Sequence, residues 1–86
     1  MDGYKVLLKA SASKEIESLP RSDRRRIVDR IQALSLDPRP PGCEKLAVSQ
    51  NRYRIRQGRY RIVYEIQDRE LIVIIVRVAD RKEVYR

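Results

Sequence analysis

The 86-residue sequence contains no histidine. That absence removes the serine and cysteine triads that depend on an imidazole base, and with only one cysteine present it also removes the usual nitrogen and sulfur metal sites. The single cysteine, Cys43, cannot form an internal disulfide, which points to a reducing compartment. Beside a Pro-Gly loop and without an activating base, it reads as a small loop or core residue. Glycine is scarce as well: three residues spaced far apart exclude a glycine-rich phosphate loop. The carboxylates form no metal or glycosidase pair, since Glu65, Asp68 and Glu70 flank a predicted turn and Asp80 and Glu83 lie in a charged tail. No metal and no cofactor is expected. The longest apolar run, Leu71 to Val76, is too short to span a membrane and reads as a buried strand. The N-terminus lacks the apolar core and cleavage site of a signal peptide. The expected location is the cytoplasm, with no membrane partner.

Positive charge, in contrast, is abundant. Lysine and arginine number 20 against 12 acidic residues, a net charge of +8, which favours an anionic partner, nucleic acid or an acidic protein first. Solubility is the plainer explanation, but it does not account for basic residues patterned on one face. Arginine outnumbers lysine 15 to 5, a bias that suits bidentate phosphate contacts, although genomic base composition also produces it. The length predicts a single domain over residues 1–86. A chain of this size buries only ~60–65% of the surface it exposes when unfolded, leaving no room for a second lobe or a deep enclosed pocket.

The patterning is clearest from Tyr53 to Tyr64, which reads Tyr-Arg-Ile-Arg-Gln-Gly-Arg-Tyr-Arg-Ile-Val-Tyr. Apolar and basic residues alternate with the period of a β-strand. A two-residue turn at Gln57-Gly58 sets Arg56 opposite Arg59, Arg54 opposite Arg61, Ile55 opposite Tyr60 and Tyr53 opposite Ile62. Four guanidiniums then share one face, while Tyr53, Ile55, Tyr60, Ile62, Tyr64 and Ile66 form the core-facing side. Like charges directly opposite weaken a ladder, so a sequence tuned only for folding is expected to interrupt them with carboxylates. The uninterrupted pattern implies an anion bound there. A one-residue slip of register would scatter the cluster over both faces.

Elsewhere, Tyr4 to Lys9 reads as a first strand. Ala12, Ile16 and Leu19 are spaced for one face of a short helix ending at Pro20. A second helix from about Ser22 to Ser35 places Ile27, Ile31 and Leu34 on one stripe with Val28 beside it. Arg24, Arg25, Arg26 and Arg30 fall largely outside that stripe and read as a solvated helix face in preference to a second nucleic-acid site. Asp37-Pro38-Arg39-Pro40-Pro41-Gly42 is a stiff connecting loop. A short extended segment at Lys45 to Val48 precedes three strands, at about Arg52 to Arg56, Arg59 to Gln67 and Glu70 to Val78. Leu71 to Val76, apolar on both faces, predicts a central strand covered on both sides, by helices on at least one. The expected fold class is α+β, a small, largely antiparallel twisted sheet in the order β-α-α-β-β-β, with a helical hairpin on one face and the arginines on the other.

Arginine and tyrosine suffice for one reaction class. In RNA a 2′-hydroxyl already adjoins the scissile phosphate, so cleavage needs orientation, charge stabilisation on the non-bridging oxygens and proton transfers, without a metal or an external nucleophile. Arginines supply the electrostatics. An aromatic ring holds a splayed base by stacking, worth ~1–3 kcal/mol per base. Tyr85, in the C-terminal tail, is available for this, or it docks on the sheet edge as an anchor.

Leu34 through Asp37-Pro38, Lys45-Leu46, Tyr53-Arg-Ile-Arg56, Gly58, Tyr60-Arg-Ile-Val-Tyr64 and Arg81-Lys-Glu-Val-Tyr85 together resemble the RelE/ParE superfamily of toxins from bacterial and archaeal toxin-antitoxin operons. The resemblance covers nearly the whole chain. Its RelE branch implies a toxin that is an mRNA endonuclease on the ribosome, cutting the A-site codon through attack of the 2′-hydroxyl and so inhibiting translation. By position, Arg61 resembles the residue that stabilises phosphate charge, Arg81 the one that assists the leaving group and Tyr85 the one that stacks on the base; Arg54, Arg56 and Arg59 are the candidate RNA-binding residues. Some members carry lysines where Arg54 and Arg56 stand, with a proposed part in deprotonating the nucleophile. Arginine stays protonated in proteins, so here either the two contribute charge alone and the proton goes to the phosphate, ribosomal RNA or water, or the enzyme is slow. The ParE branch of the same fold poisons DNA gyrase, and a plain basic binding module is the third alternative. The resemblance further implies ribosome and mRNA as targets and an acidic, partly disordered antitoxin as neutralising partner.

Overall fold

The computed structural model describes residues 3–46 and 51–80. Strand β1 (Lys5–Leu8) leads into helices α1 (Ala10–Glu17) and α2 (Arg21–Ala33), followed by β2 (Glu44–Lys45), β3 (Arg52–Gln57), β4 (Tyr60–Gln67) and β5 (Ile72–Asp80). Helix α1 stops at Glu17, short of the proline expected to end it, and Pro20 instead caps the start of α2, where its carbonyl accepts the Arg24 amide at 2.8 Å. A proline costs nothing there, because the first amides of a helix have no intrahelical acceptor. Ala12 and Ile16 of α1 and Ile27 and Ile31 of α2 are buried, the spacing of a single apolar stripe on each. Of the arginines expected on the solvated face of α2, Arg25 and Arg26 are exposed and Arg24 and Arg30 half-buried. No helix among the described residues is long and apolar enough to cross a membrane.

The five strands form one sheet in the order β1-β5-β4-β3-β2. Its contacts are antiparallel except for β1, which runs parallel to β5, Lys5 to Leu8 lying beside Ile72 to Ile75. The sheet is therefore mixed and largely antiparallel, as expected; the one parallel contact arises because the helical hairpin carries the chain back over one face before the sheet is completed. The extended segment after the proline loop begins one residue earlier than predicted, at Glu44, and is described as a strand over Glu44–Lys45; the rest of the predicted segment, at residues 47 and 48, lies outside those described. Strand β5 begins at Ile72, with Leu71 at φ 57° in the preceding turn, and Asp80, assigned from sequence to a charged tail, is the last described residue and belongs to the strand.

The core lies between the helices and one sheet face. Ala12, Ile27, Leu34, Ile55, Ile62, Tyr64, Val73 and Ile75 are completely buried. Tyr53 packs half-buried beside Tyr64, ring centres 6.1 Å apart. The Tyr64 hydroxyl donates to the Pro38 carbonyl at 2.8 Å, tying the proline loop to the core, and burial pushes its pKa up. Cys43 is half-buried against the same cluster. Among the described residues, helices cover only this face. On the other side Ile72, Ile74 and Val76 are half-buried, so the expectation that β5 is covered on both sides holds for its core face alone.

A polar clasp closes the end of the sheet at the β4-β5 turn. Asp68 accepts two nitrogens of Arg39 at 2.9 and 3.1 Å and the Tyr4 hydroxyl at 2.7 Å, while Arg39 also donates to the Tyr53 hydroxyl at 3.2 Å and lies over that ring. The Arg39 guanidinium and the Tyr4 hydroxyl hold the Asp68 carboxyl down at about 2. An aspartate whose folded pKa is depressed stabilises the fold above its unfolded value of ~3.9 and stops doing so as pH falls toward the folded value. Asp68→Asn is therefore expected to melt below wild type at pH 7, with the gap closing by about pH 2; a gap independent of pH would remove Asp68 ionisation as the cause. Gly58, at φ 60° with open space where a Cβ would point, makes a second test. Gly58→Ala should cost about 1–2 kcal/mol in urea denaturation from backbone strain alone.

Candidate nucleic-acid interface

The face of the sheet that α1 and α2 leave uncovered collects the arginines, in a different pairing from the expected one. The hairpin turn is Gly58-Arg59, with Gly58 at positive φ and Arg59 not, the pattern of a type II′ turn. Arg56 thus lies opposite Arg61, Ile55 opposite Ile62, Arg54 opposite Val63 and Tyr53 opposite Tyr64. Each residue meets a partner two positions further along β4 than predicted. Because side chains alternate with period two, such a displacement preserves the sorting of faces. The expected core side is intact: Ile55, Tyr60, Ile62, Tyr64 and Ile66 are buried and Tyr53 half-buried.

Three of the four predicted guanidiniums, Arg54, Arg56 and Arg61, share the open face by register, joined by Arg52 opposite Glu65. Arg59 does not join them; it sits in the turn and binds Asp80, Nε to Oδ2 at 2.7 Å. The carboxylates that a like-charged ladder needs come from neighbouring strands. Glu44 of β2, directly opposite Arg54, is ion-paired with it, and Glu65 approaches Arg52 at 3.8 Å. The sequence search for paired carboxylates missed Glu44, because a two-residue strand after a proline-glycine loop carries no periodic signal.

Burial differs sharply along the face. Arg56 is exposed and has no ion-pair partner among the described residues, whereas Arg61 is only 5% exposed. Arg81 and Tyr85, the two remaining predicted site residues, lie outside the described residues. Among those described, no cluster of three or more metal-ligating side chains occurs. The arrangement offers fixed positive charge at Arg56, partly neutralised charge at Arg54 and a carboxylate, Glu44, that can accept a proton.

Residues 6–85 match the family of ParE toxins of type II toxin-antitoxin systems, ParDE. This chain is a type II toxin of the RelE/ParE superfamily. Its fold is that of RelE structures. The toxin is 28% identical to a chain of the RelBE2 toxin-antitoxin complex from Mycobacterium tuberculosis, with a TM-score of 0.82 over 94% of each chain. It is 30% identical to a chain of the RelB-RelE antitoxin-toxin complex from Methanococcus jannaschii, with a TM-score of 0.76 over 92% of this chain and 94% of that one. With the isolated RelE toxin of E. coli it shares 27% identity and a TM-score of 0.79, covering 95% of this toxin and 90% of that one. No curated protein matches the sequence.

The contrast in burial makes a direct prediction about the toxin in solution. A guanidinium-directed dicarbonyl reagent followed by mass spectrometry should modify Arg56 early and Arg61 late, by at least tenfold in rate; equal rates would show Arg61 to be open to solvent.

Proposed function

We propose that this toxin is an endoribonuclease that cuts mRNA in the ribosomal A site and so halts translation. The observation that carries the reading is the register of β3 against β4, which brings Arg54, Arg56 and Arg61 to the open face of a sheet whose other face is committed to the core. Similarity to RelE structures along almost the whole chain supports it. In this reading the substrate 2′-oxygen attacks the adjacent phosphorus, the 5′-oxygen of the next nucleotide leaves, and charge builds on the non-bridging oxygens. Arg61 meets that charge, which requires the surface now enclosing it to open when RNA binds. Arg56 and Arg54 add field, Arg81 assists the departing oxygen and Tyr85 stacks on a base. Neither Arg54 nor Arg56 can take the proton of the 2′-hydroxyl. Glu44, held against Arg54, is the acceptor that best fits; Glu65 lies further along the face and already accepts a hydrogen bond from Gln67.

The neutralising partner is an antitoxin, by likeness to the RelB-RelE complexes. Besides the arginine face, an apolar groove of about 280 Å³ between β1, α1 and α2, lined by Val6, Leu8, Ile16, Val28 and Ile31, offers a place for its apolar side chains.

Gyrase poisoning is the second reading. The match to a family described by its ParE toxins favours it, as does the enclosure of Arg61, which a nuclease must reverse.

Pulse labelling after induction separates the two. Loss of amino-acid incorporation before thymidine incorporation is expected; early loss of DNA synthesis with gyrase-linked breaks would favour the second reading. On programmed ribosomes, Arg61→Ala and Arg81→Ala should each lower single-turnover cleavage by about 10²–10³-fold in a folded toxin. Glu44→Gln should lower it by about 10²-fold or more at unchanged ribosome affinity; full activity would remove Glu44 as proton acceptor.

A further inference from the structure

Arg77 goes unnoticed in the sequence, where it follows an apolar run that reads as buried on both faces. The ladder between β4 and β5 gives it a place. Ile62 lies opposite Val78 and Val63 opposite Arg77, after which Tyr64 lies opposite Ile75, so Val76 is passed over as the extra residue of a β-bulge. The bulge changes the parity of the strand. Ile75 and Val78, three positions apart, are both buried in the core, and strict alternation from Ile75 would have turned Arg77 toward the helices as well. Instead Arg77 shares the open face with Val63.

A row of residues therefore crosses this face from Glu44 through Arg54 and Val63 to Arg77, beside a second row of Arg56, Arg61 and Ala79. Arg77 and Arg61 are diagonal neighbours, roughly 7–8 Å apart at the base of their side chains. Among the described residues the ladders place Arg52, Arg54, Arg56, Arg61 and Arg77 on this face, and of these only Arg56 and Arg77 are exposed. Arg77 meets Glu15 of α1 at 3.8 Å, Nε to Oε2, with half of its side chain open to solvent. That is beyond hydrogen-bonding distance, and an exposed pair of this kind contributes little. Glu15 is held elsewhere: its Oε1 accepts the Val78 amide at 2.7 Å, past the point where β1 accompanies β5.

We propose that Arg77 is an RNA-binding residue that holds a phosphate of the mRNA strand adjoining the scissile one. The inference rests on the proposed nuclease site, in which Arg61 meets the scissile phosphate. From its diagonal position Arg77 serves a second phosphate of the same strand, close enough for one RNA chain to touch both arginines and too far aside to share the first. A bulge interrupts regular pairing, and here it sets a cation on the ligand side of the sheet. The two roles open to Arg77 make opposite demands on Glu15. If Arg77 binds phosphate, Glu15 competes with the RNA, and removing its charge while keeping an acceptor for the Val78 amide should help; if the pair only braces the strand, the same change should harm as much as removing the arginine.

The test is affinity for ribosomes programmed with mRNA, made uncleavable by a 2′-deoxy sugar at the cut site and measured over a range of salt, for wild type, Arg77→Ala, Arg77→Lys and Glu15→Gln, each checked for folding by thermal melting. Arg77→Ala should weaken binding about three- to tenfold and lower the slope of log affinity against log salt by about 0.7, the share of one phosphate contact on a single strand. Arg77→Lys should keep most of the binding, and Glu15→Gln should bind at least as tightly as wild type. Unchanged binding by Arg77→Ala would overturn the inference, as would equal weakening by Glu15→Gln. A second arm assigns the phosphate, using mRNA with a neutral methylphosphonate at single linkages beside the cut site. A linkage whose neutralisation weakens wild type to the level of Arg77→Ala, and leaves that variant unaffected, supports the contact; additive losses at every linkage would put Arg77 on ribosomal RNA and overturn the assignment. Cleavage of ordinary mRNA by wild type is scored in parallel. If wild type binds programmed ribosomes without cutting, the nuclease reading falls while the affinities still decide the contact; if folded wild type does not bind them, both fall.

Discussion

A period of two along β3 and β4, fixed by a turn that glycine closes without strain, is the constraint on which the rest of this toxin depends. Gly58 at positive φ lets the two strands meet in the twist a hairpin prefers. With that register set, Tyr60, Ile62, Tyr64 and Ile66 must face α1 and α2, and Arg54, Arg56 and Arg61 must face away. Core and candidate site are thus two sides of one alternation. Neither can shift by a residue without exposing the tyrosines and burying the arginines.

Such a face carries a cost, since like charges opposite one another oppose folding. The toxin offsets this with carboxylates set against the face, Glu44, from outside the hairpin, on Arg54 and Glu65, in β4 itself, near Arg52, while Asp80 takes up the charge of Arg59 in the turn. These pairs hold the scaffold together without filling the face, because Arg56 remains exposed. The charge on this face is thus arranged and partly balanced by the fold itself. Arg59 illustrates the distinction, as its charge is spent within the molecule. The Asp68 clasp with Arg39 and Tyr4 does comparable work at the opposite end of the sheet, joining the chain near the first strand, the proline loop and the β4-β5 turn.

Much of this was legible in the sequence, and the reasons differ by element. The stripes Ala12-Ile16 and Ile27-Ile31-Leu34 are local patterns, and the helices they predict are present. The face sorting of the hairpin survived a misplaced turn because only parity matters to it; the partners did not, since Gln-Gly and Gly-Arg are both acceptable turn pairs by composition. The parallel pairing of β1 with β5 joins segments about 67 residues apart, by the register of Lys5 with Ile72, and no local pattern encodes it. Asp80 looked like a tail because a charged residue at the end of an apolar run signals a boundary. Glu44 and the enclosure of Arg61 became visible only in the assembled sheet.

The central claim is that the arginine face works on an RNA phosphate through the neighbouring 2′-hydroxyl. The most direct measurement is end-group analysis of mRNA recovered from programmed ribosomes after incubation with pure toxin. Attack by the 2′-oxygen displaces the 5′-oxygen, so the account predicts fragments with 5′-hydroxyl ends and 2′,3′-cyclic phosphate or its 3′-phosphate product, cut within the A-site codon. Intact mRNA on ribosomes bound by folded toxin, or fragments bearing 5′-phosphate ends, would contradict it.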